Sequence, residues 1–423
     1  MVLNDSSNNL LQNRDFVQYS CAAFIATLAT QIEAVAIAWQ IYAIARNPLA
    51  LGYVGLAQFI PMATLFFVAG DVVDHYNRRR ILTITYAAQA LATVLLLMLT
   101  CLSVQDERLF YIALVLLGSA RAFGQPAGQS FLPQLVSSER FPQAVAWSSS
   151  SWQSAVIIGP ALGGFIYIWG PAAAYAVCLF FYVATSLAIA TLHTNSQPRP
   201  LDPSTSAFRR VTAGIRFIRS QPTILGAISL DLFAVLLGGA TALLPIYVRD
   251  ILKVGPGGLG LLRSAPAVGA AITGLVLGRA ALRRNTGLVM FACVAIFGLA
   301  TIVFGLSTDF RASLVALAVL GASDMVSVYV RSSLVQLSTP DEMRGRVSAV
   351  NSLFIGASNQ LGGFESGVTA AWFGTVPSVV IGGIGTLMVV GLWMTLFPGL
   401  RQLDRLSDLN PEGTSMTNLA DAD

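Results

Sequence analysis

The chain has 423 residues, of which 55% are hydrophobic and 11% are charged, and its formal net charge is +4. Soluble globular proteins contain about 25% charged residues, so this composition excludes an ordinary water-soluble domain. The mean hydropathy of +0.69 and the many apolar runs of about 20 residues indicate a polytopic membrane protein, because in lipid each helix must bond its own backbone polar groups.

The chain begins with a polar segment, residues 1–15, that mixes acidic and basic side chains. It has no basic region followed by a short apolar core and a cleavage site, so we expect a retained tail rather than a cleaved signal peptide. Twelve apolar segments follow, in two sets of six. The first set lies at 16–44, 49–72, 81–103, 109–130, 144–168 and 171–192, and the second at 223–248, 257–281, 286–306, 311–335, 346–370 and 375–398.

These segments predict an all-α membrane protein of twelve transmembrane helices in two pseudo-symmetric six-helix bundles. The predicted order is an N-terminal tail (1–15), a first bundle (16–192), a linker (193–222), a second bundle (223–398) and a C-terminal tail (399–423). The first half of the linker is rich in proline. Its second half predicts an amphipathic surface helix with four arginines, Arg209, Arg210, Arg216 and Arg219.

The loops differ in their basic residues. If the amino terminus is cytoplasmic, the inner loops contain most of the arginines, whereas the basic residues of the outer loops are fewer and mostly have acids close by. Cytoplasmic loops carry an excess of lysine and arginine. We therefore predict a multi-pass protein of the bacterial inner membrane with both termini in the cytoplasm.

The residues that most often hold metals or form disulfides are scattered. Each of the four cysteines lies alone in a separate apolar stretch, and both histidines fall near predicted loops. This pattern favours free thiols used as small apolar side chains, with no spacing for a disulfide framework or a metal site. We expect no metal, no cofactor, no nucleic-acid partner and a monomer in the lipid bilayer.

The two halves repeat each other. The segment LPQLVSSERFPQAV (132–145) matches LVQLSTPDEMRGRV (334–347) at an offset of 202 residues. Two shorter segments also recur in the same order, LGGF at 162–165 and 361–364 and IY at 41–42 and 246–247. Parallel six-helix repeats, related by an axis along the membrane normal, are typical of the two halves of major facilitator transporters. The sequence therefore predicts that fold.

The segment GDVVDHYNRR, residues 70–79, gathers charges between two apolar runs. It resembles the loop 2–3 signature of the major facilitator superfamily, Gly-x-x-x-Asp-(Arg/Lys)-x-Gly-(Arg/Lys)-(Arg/Lys). The matching residues are Gly70, Asp74, Arg78 and Arg79. His75 replaces the first basic residue, and Asn77 replaces the second glycine, which we attribute to the tolerance of asparagine for left-handed backbone angles.

The resemblance implies a gate at this loop. Asp74 would approach the positive amino-terminal end of the eleventh helix, near residues 341–347, and would steady the outward-open state. The alternative is that the arginines only keep this loop on the cytoplasmic side of the membrane and have no role in gating.

A second segment, AVIIGPALGG (155–164) in the fifth helix, resembles the Gly-x-x-x-Gly-Pro-x-x-Gly-Gly pattern of facilitator antiporters. Its matching residues are Gly159, Pro160, Gly163 and Gly164. The proline is expected to bend the helix and the glycines to admit a close neighbour. Three further segments, 230–247, 258–274 and 339–352, look most like the facilitator branch of enterobactin exporter-like, macrolide and multidrug efflux proteins, and this resemblance implies export of a siderophore or a drug.

Four ionisable residues lie at membrane depth, one each on the first, fourth, seventh and tenth helices, which line the cavity in this fold: Glu33, Arg121, Asp231 and Asp324. An ionisable group at the centre of a membrane helix costs at least about 2.5–3.5 kcal/mol, which makes it a functional candidate. Glu33, Asp231 and Asp324 are our candidates for proton coupling. Arg121, in a segment that resembles the Leu-x-x-x-Arg signature of proton-coupled members, would hold an anionic group or an acidic partner; the alternative is a purely structural ion pair.

Trp39 and Tyr42 are aromatic residues near the end of the first helix. Aromatic rings at such positions commonly anchor a helix in the membrane interface. The other interpretation is that Trp39 and Tyr42 stack on an aromatic substrate.

These features predict a secondary active transporter, a proton-coupled exporter of a siderophore or amphiphilic drug-like molecule that works by alternating access. An importer, or a lysophospholipid flippase, of the same fold is the alternative. No nucleophile–base pair, metal cluster or P-loop is found in the sequence, so we expect neither an enzyme nor an ATP-driven pump.

Overall fold

A computed structural model describes residues 10–194, 207–280, 282 and 284–405. Most of the predicted N-terminal tail, the proline-rich half of the linker, Arg283 and the end of the C-terminal tail lie outside these residues. Every regular element in the described residues is a helix. Eleven of these helices are long and apolar enough to cross a membrane. The prediction of an all-α, multi-pass membrane protein is therefore confirmed.

The helices of the first half of the chain are α1 Arg14–Ala45, α2 Pro48–His75, α3 Arg78–Cys101, α4 Glu107–Leu135, α5 Phe141–Ile166 and α6 Pro171–Ala190. A short linker helix, Ala207–Ser220, follows. The helices of the second half are α7 Pro222–Leu237, α8 Pro256–Arg279, α9 Thr286–Leu306, α10 Phe310–Leu337, α11 Asp341–Phe373 and α12 Thr375–Leu396.

Short polar side chains fix where several of these helices begin. The side-chain oxygen of Asn13 accepts the N–H of Phe16 at the start of α1, and Asp309 accepts the N–H of Ala312 at the start of α10. Such caps bond backbone donors that the first helical turn leaves without partners.

Asn77 acts in the same way, and our explanation for it was wrong. Its backbone is extended, with φ −64° and ψ 114°, and its side chain accepts the N–H of Arg80 at the start of α3. The position requires an N-cap and not a left-handed residue, which is why asparagine serves here as well as glycine.

The predicted seventh helix, 223–248, is interrupted. Regular α-helix ends at Leu237, a 3₁₀ turn spans Ala240–Leu243, and a π-helical turn closes the segment at Tyr247–Ile251. The interruption falls at Gly238 and Gly239, and a Cβ on Gly239 would lie 2.6 Å from the carbonyl oxygen of Gly362 in α11. Paired glycines lower the helix propensity and admit this close approach.

The described contacts group the chain into two compact units. The first contains α1, α2 from Leu56 onward, α3–α6 and the segment Val254–Ser264 that begins α8. The second contains Asn47–Gly55 at the start of α2, α7, the rest of α8 and α9–α12.

In the first unit, polar contacts close the end of the bundle where α1 begins. The carboxylate of Asp15 accepts the backbone N–H of Thr194 at 2.7 Å and the hydroxyl of the same residue at 2.5 Å. Arg79 donates to the carbonyl oxygen of Leu192. These contacts satisfy polar groups just beyond α6 and bind that end to α1 and α3.

In the second unit, the segment that follows α12 binds the start of α9. The N–H of Thr286 donates to the carbonyl oxygen of Asp404 at 3.1 Å, and the N–H of Gly287 donates to that of Leu403 at 2.9 Å. A carboxylate oxygen of Asp404 accepts the N–H of Asn285 at 2.8 Å. Three backbone donors at a helix N-terminus are thus bonded by one distant segment.

The close approach at Gly287 yields a test. A Cβ on Gly287 would overlap the carbonyl oxygen of Leu400, which is backbone and cannot rotate away. We expect Gly287→Ala to lower the free energy of unfolding by about 1–3 kcal/mol, the usual cost of overpacking a closed site. The measurement is the thermal unfolding midpoint in detergent.

The matched control is Gly391→Ala in α12, where a Cβ would meet nothing within 4 Å. Alanine has the higher helix propensity, so this variant should unfold at or above the wild-type temperature. Equal unfolding temperatures for the two variants would contradict the assignment of Gly287 to a closed contact.

Candidate functional site

Glu33 and Arg121 form an ion pair inside the first unit. Glu33, on α1, has no exposed surface, and a nitrogen of the Arg121 guanidinium, on α4, lies 3.0 Å from its carboxylate. The other terminal nitrogen of Arg121 donates to the side-chain oxygen of Gln58 at 2.6 Å. The pair is electrically neutral overall, which lowers the cost of placing each charge at membrane depth.

Two hydroxyl groups complete the surroundings of the Glu33 carboxylate. Thr93 of α3 donates to one oxygen at 2.8 Å, and Tyr182 of α6 donates to the other at 3.1 Å. The tyrosine hydroxyl also lies 3.1 Å from that of Thr30, one turn earlier on α1. Three other helices, α3, α4 and α6, therefore supply the groups that hold this carboxylate, and every one of the direct contacts suits its ionised form.

The glycines of the α5 motif pack beside this site. A Cβ on Gly159 would lie 2.5 Å from Cβ of Gln31, and one on Gly163 would lie 2.9 Å from Cα of Ile32. Gln31 and Ile32 immediately precede Glu33, and Pro160, which follows Gly159, is buried. The motif thus brings α5 against the part of α1 that carries the carboxylate.

Two residues that begin α8 also reach this part of the first unit. A Cβ on Gly164 would overlap the carbonyl oxygen of Pro256. Arg263 donates to the carbonyl oxygen of Ala34 at 3.3 Å, so a second guanidinium lies next to the backbone of the residue that follows Glu33.

Asp231 and Arg331 form a second ion pair, in the second unit. The aspartate on α7 is 6% exposed and the arginine on α10 is 2% exposed, and a guanidinium nitrogen of Arg331 contacts an Asp231 carboxylate oxygen. The statement that the tenth helix carries a single ionisable residue at membrane depth was therefore wrong, because Arg331 was overlooked.

A signal for Arg331 existed in the internal repeat. Matching the IY pairs places Glu33 opposite Gly238, so Asp231 is displaced by about seven residues along α7. Arg331 lies about eight residues beyond Ser323, the counterpart of Arg121, on α10. Successive membrane helices run in opposite directions, so both displacements, of roughly 10–12 Å, are toward the same end of the bundle. Asp231 and Arg331 are therefore displaced in the same direction relative to Glu33 and Arg121 in the repeat.

Asp324 lies beside the second pair. It lines a narrow cavity with Asp231, Phe297, Ser323 and Ser327, whose volume of about 10 Å³ has room for one water molecule. Asp324 and Arg331 are seven residues apart on α10, which places them on the same face two turns apart. The structure thus brings two of the three predicted carboxylates together and leaves Glu33 in the other unit.

The residues of the loop 2–3 motif have different surroundings. Asp74 is half-buried and Arg78 is buried, whereas His75 is exposed. The ring of His75 contacts Asp71, one turn earlier in its own helix, at 3.5 Å. Arg79 belongs to the contacts that close the end of α6. Gly70 lies in the last turns of α2.

The two aromatic candidates are packed within the first unit. The ring of Trp39 meets that of Tyr167 edge to face, with centroids 6.3 Å apart. Tyr42 is 6% exposed. Both rings therefore have protein neighbours near the end of α1.

Comparison with known proteins gives a consistent result. The model of the family described as transmembrane secretion effector matches residues 6–418. The enterobactin exporter EntS of Citrobacter koseri is 26% identical over 406 residues, which cover 93% of this chain and 94% of that protein. EntS of Salmonella choleraesuis is 25% identical, with 92% and 94% covered.

Solved structures show the same fold at lower identity. A bacterial homologue of the lysosomal transporter Spinster aligns with a TM-score of 0.72 at 11% identity, over 92% of this chain and 97% of that one. A bacterial homologue of ferroportin aligns with a TM-score of 0.70 at 16% identity, over 93% and 100%. These similarities establish the fold alone.

The buried pair of the second unit can be tested by a double-mutant cycle. Asp231→Asn should lower the free energy of unfolding by about 3 kcal/mol, because it leaves the buried charge of Arg331 without a counter-charge. The double variant Asp231→Asn, Arg331→Met should unfold close to the wild-type temperature, because no unpaired charge remains. Thermal unfolding in detergent measures both. Additive losses in the double variant would contradict the pairing.

Proposed function

Because the chain belongs to the transmembrane secretion effector family of the major facilitator superfamily, a family of transporters and not of enzymes, we propose that it is a proton-coupled exporter that works by alternating access. The observation that carries this proposal is the Glu33–Arg121 pair, a carboxylate with no exposed surface held by one cation at membrane depth. Buried ionisable pairs in membrane helices are typical of proton relays.

The proposed substrate is a siderophore or an amphiphilic drug-like molecule. Its support is the similarity, over nine-tenths of the chain, to relatives named enterobactin exporters. Export is tested by deleting the protein and measuring siderophore inside the cell, which should rise. A fall in the internal concentration would favour an importer, and no change in siderophore together with altered lysophospholipid distribution would favour a flippase.

The proposed mechanism uses the charge balance at Glu33. Protonation of this carboxylate removes the counter-charge of Arg121 and frees its guanidinium to bind an anionic group of the substrate. The groups that face the carboxylate are the guanidinium of Arg121 and the hydroxyls of Thr93 and Tyr182. Because Glu33 does not contact solvent, proton exchange requires one of the surrounding helices to move. Protonation of Glu33 is therefore coupled to the helix movement that opens the site.

Asp231 and Asp324 are the other proposed proton carriers. Asp231 is about nine residues into α7, or roughly 13 Å from its start, whereas Glu33 is about 19 residues into α1, or roughly 28 Å from its start. With both helix starts in the cytoplasm, Glu33 is nearer to protons that arrive from outside. Asp231 and Asp324 are nearer to the cytoplasmic side, on which the protons are released.

The orientation follows from the loops. The contacts at Arg79 and Asp15 lie at the end that we assign to the cytoplasm, because the arginine-rich loops are there. The proposed location is the bacterial inner membrane, with both termini in the cytoplasm and the protein acting as a monomer. The proposed partners are protons and one small-molecule substrate. Trp39 and Tyr42 are proposed to flank that substrate near the outer end of α1.

The experiment that tests coupling uses everted vesicles, in which an acid interior should drive uptake of the substrate. Uptake should stop when a protonophore is added. Glu33→Gln should abolish gradient-driven uptake but preserve substrate exchange across the membrane, because glutamine retains the shape of the side chain and cannot carry a proton.

The control is Glu139→Gln, the same change at an exposed position between α4 and α5, which should transport normally. Gradient-driven uptake by Glu33→Gln at wild-type rates would refute the assignment of the proton carrier. Uptake that survives the protonophore but requires sodium would refute proton coupling itself.

The loop 2–3 motif is proposed to act as a gate through Asp74. Asp74→Asn should leave the protein inserted and reduce transport about tenfold, because the amide has no charge to offer a helix N-terminus. Asp71→Asn is a matched control one turn earlier in α2, on an exposed residue that contacts His75. Transport is measured in vesicles at equal protein content. Equal rates for both variants would reduce the motif to a determinant of topology.

A further inference from the structure

A cavity of about 260 Å³ lies within the first unit, among α1, α4 and α5. It is near the beginning of α1, since Tyr19 and Ser20 belong to the first two turns of that helix. It is distinct from the Glu33–Arg121 pair, which is about 13 residues further along α1, or roughly 20 Å.

The walls of this cavity combine aromatic rings and hydroxyl groups. The rings are those of Tyr19, Phe24 and Trp152, and the hydroxyl groups include those of Ser20, Ser148 and Ser151. None of the described side chains that line the cavity is charged. A charged ligand group would therefore lose its hydration here without gaining a counter-ion.

Ser20 indicates that the cavity receives a polar ligand group. This residue is 7% exposed, and its hydroxyl oxygen has no hydrogen-bond partner among the described residues. A buried hydroxyl without a partner costs about 1–3 kcal/mol. If the Ser20 side chain turns toward the cavity, a ligand with a hydroxyl or amide substituent would recover that cost by bonding to its hydroxyl group.

The aromatic wall is held in place before any ligand binds. The Tyr19 hydroxyl donates to the carbonyl oxygen of Gly128 at 3.3 Å, and its ring packs edge to face on Phe131, with centroids 5.4 Å apart. Trp152, which also lines the cavity, is 56% exposed, so a ligand that stacks on its ring gains burial. Rigid aromatic walls favour flat, aromatic ligands.

The volume sets the size of the ligand group. Pockets that enclose a whole drug-sized molecule usually measure about 300–1,000 Å³, and a cavity of about 150 Å³ accommodates benzene. A cavity of about 260 Å³ therefore fits one ring or two fused rings with their substituents.

We propose that this cavity is a binding site for an uncharged aromatic ring that carries hydroxyl or amide substituents, and that it holds such a ring of the exported molecule on the cytoplasmic side. The second part rests on the proposed function. An anionic group elsewhere in the same molecule would be received by Arg121, so the two sites would select molecules that are aromatic at one end and anionic at the other.

The test measures equilibrium binding of 2-naphthol, an uncharged hydroxylated bicyclic ring, to the purified full-length protein by dialysis against protein-free micelles of the same detergent. We expect saturable binding with one site per chain. Naphthalene-2-sulfonate, which has the same ring system and a permanent negative charge, should bind at least about tenfold more weakly, because the site offers no cation.

Three variants locate the site. Ser151→Phe fills the cavity and should abolish the binding of 2-naphthol, whereas Ser154→Phe, one turn later on α5 and outside the lining, should retain it. Ser20→Ala keeps the packing and removes the unpartnered hydroxyl, so binding should weaken about fivefold, as expected for one hydrogen bond. Ser20→Ala also keeps the test decisive if Ser151→Phe fails to fold.

Equal binding by wild type, Ser20→Ala and Ser151→Phe would overturn the proposal, as would equal affinity for the sulfonate. Binding needs no proton gradient, so its outcome is separate from that of the transport experiment. Saturable binding without gradient-driven transport would refute the proposed coupling and leave the aromatic site standing, and the reverse result would refute only the site.

Discussion

The first unit depends on the placement of one carboxylate where water cannot reach it. Glu33 is tolerated because Arg121 neutralises its charge and because hydroxyls from α3 and α6 donate two further hydrogen bonds to its carboxylate. An unpaired charge at that depth would cost several kcal/mol, so the four helices are constrained to meet there. The glycines of α5 belong to the same constraint, because they admit a fifth helix against the two residues before Glu33. Close helix packing of α5 therefore lies next to the Glu33–Arg121 ion pair.

The second unit also pairs a buried acid with a buried arginine, at other positions of the internal repeat. Its acid and its arginine are both displaced toward the same end, and the position that corresponds to Glu33 is Gly238, where α7 loses its regular hydrogen bonding. Interrupted helices near the membrane midplane commonly mark binding sites, because they free backbone polar groups. The two halves thus resemble each other in sequence while their buried charges occupy different positions of the repeat.

The fold could be predicted from the sequence because membrane spans are long, apolar and punctuated by polar loops. The motifs around Asp74 and Pro160, and the four ionisable residues, were visible for the same reason: charge and proline stand out in apolar runs. Thr93 and Tyr182 were not predictable, because a threonine or tyrosine in a membrane helix usually bonds its own backbone or a neighbour. The interruption of α7 was missed because glycines are common in membrane helices and seldom interrupt them. Asn77 was placed correctly and explained wrongly, since spacing alone does not reveal backbone angles.

The segment after α12 has a practical consequence for anyone who handles this protein. Leu403 and Asp404 bond the first N–H groups of α9, so residues that look like a dispensable tail hold the start of a helix in the second bundle. An affinity tag or fluorescent reporter fused directly after Arg401 would remove that contact and loosen a helix more than a hundred residues earlier in the chain. A fusion placed beyond Arg405 keeps it. Reporter fusions whose junctions differ by only four residues will therefore differ in yield and in how well they survive extraction from the membrane.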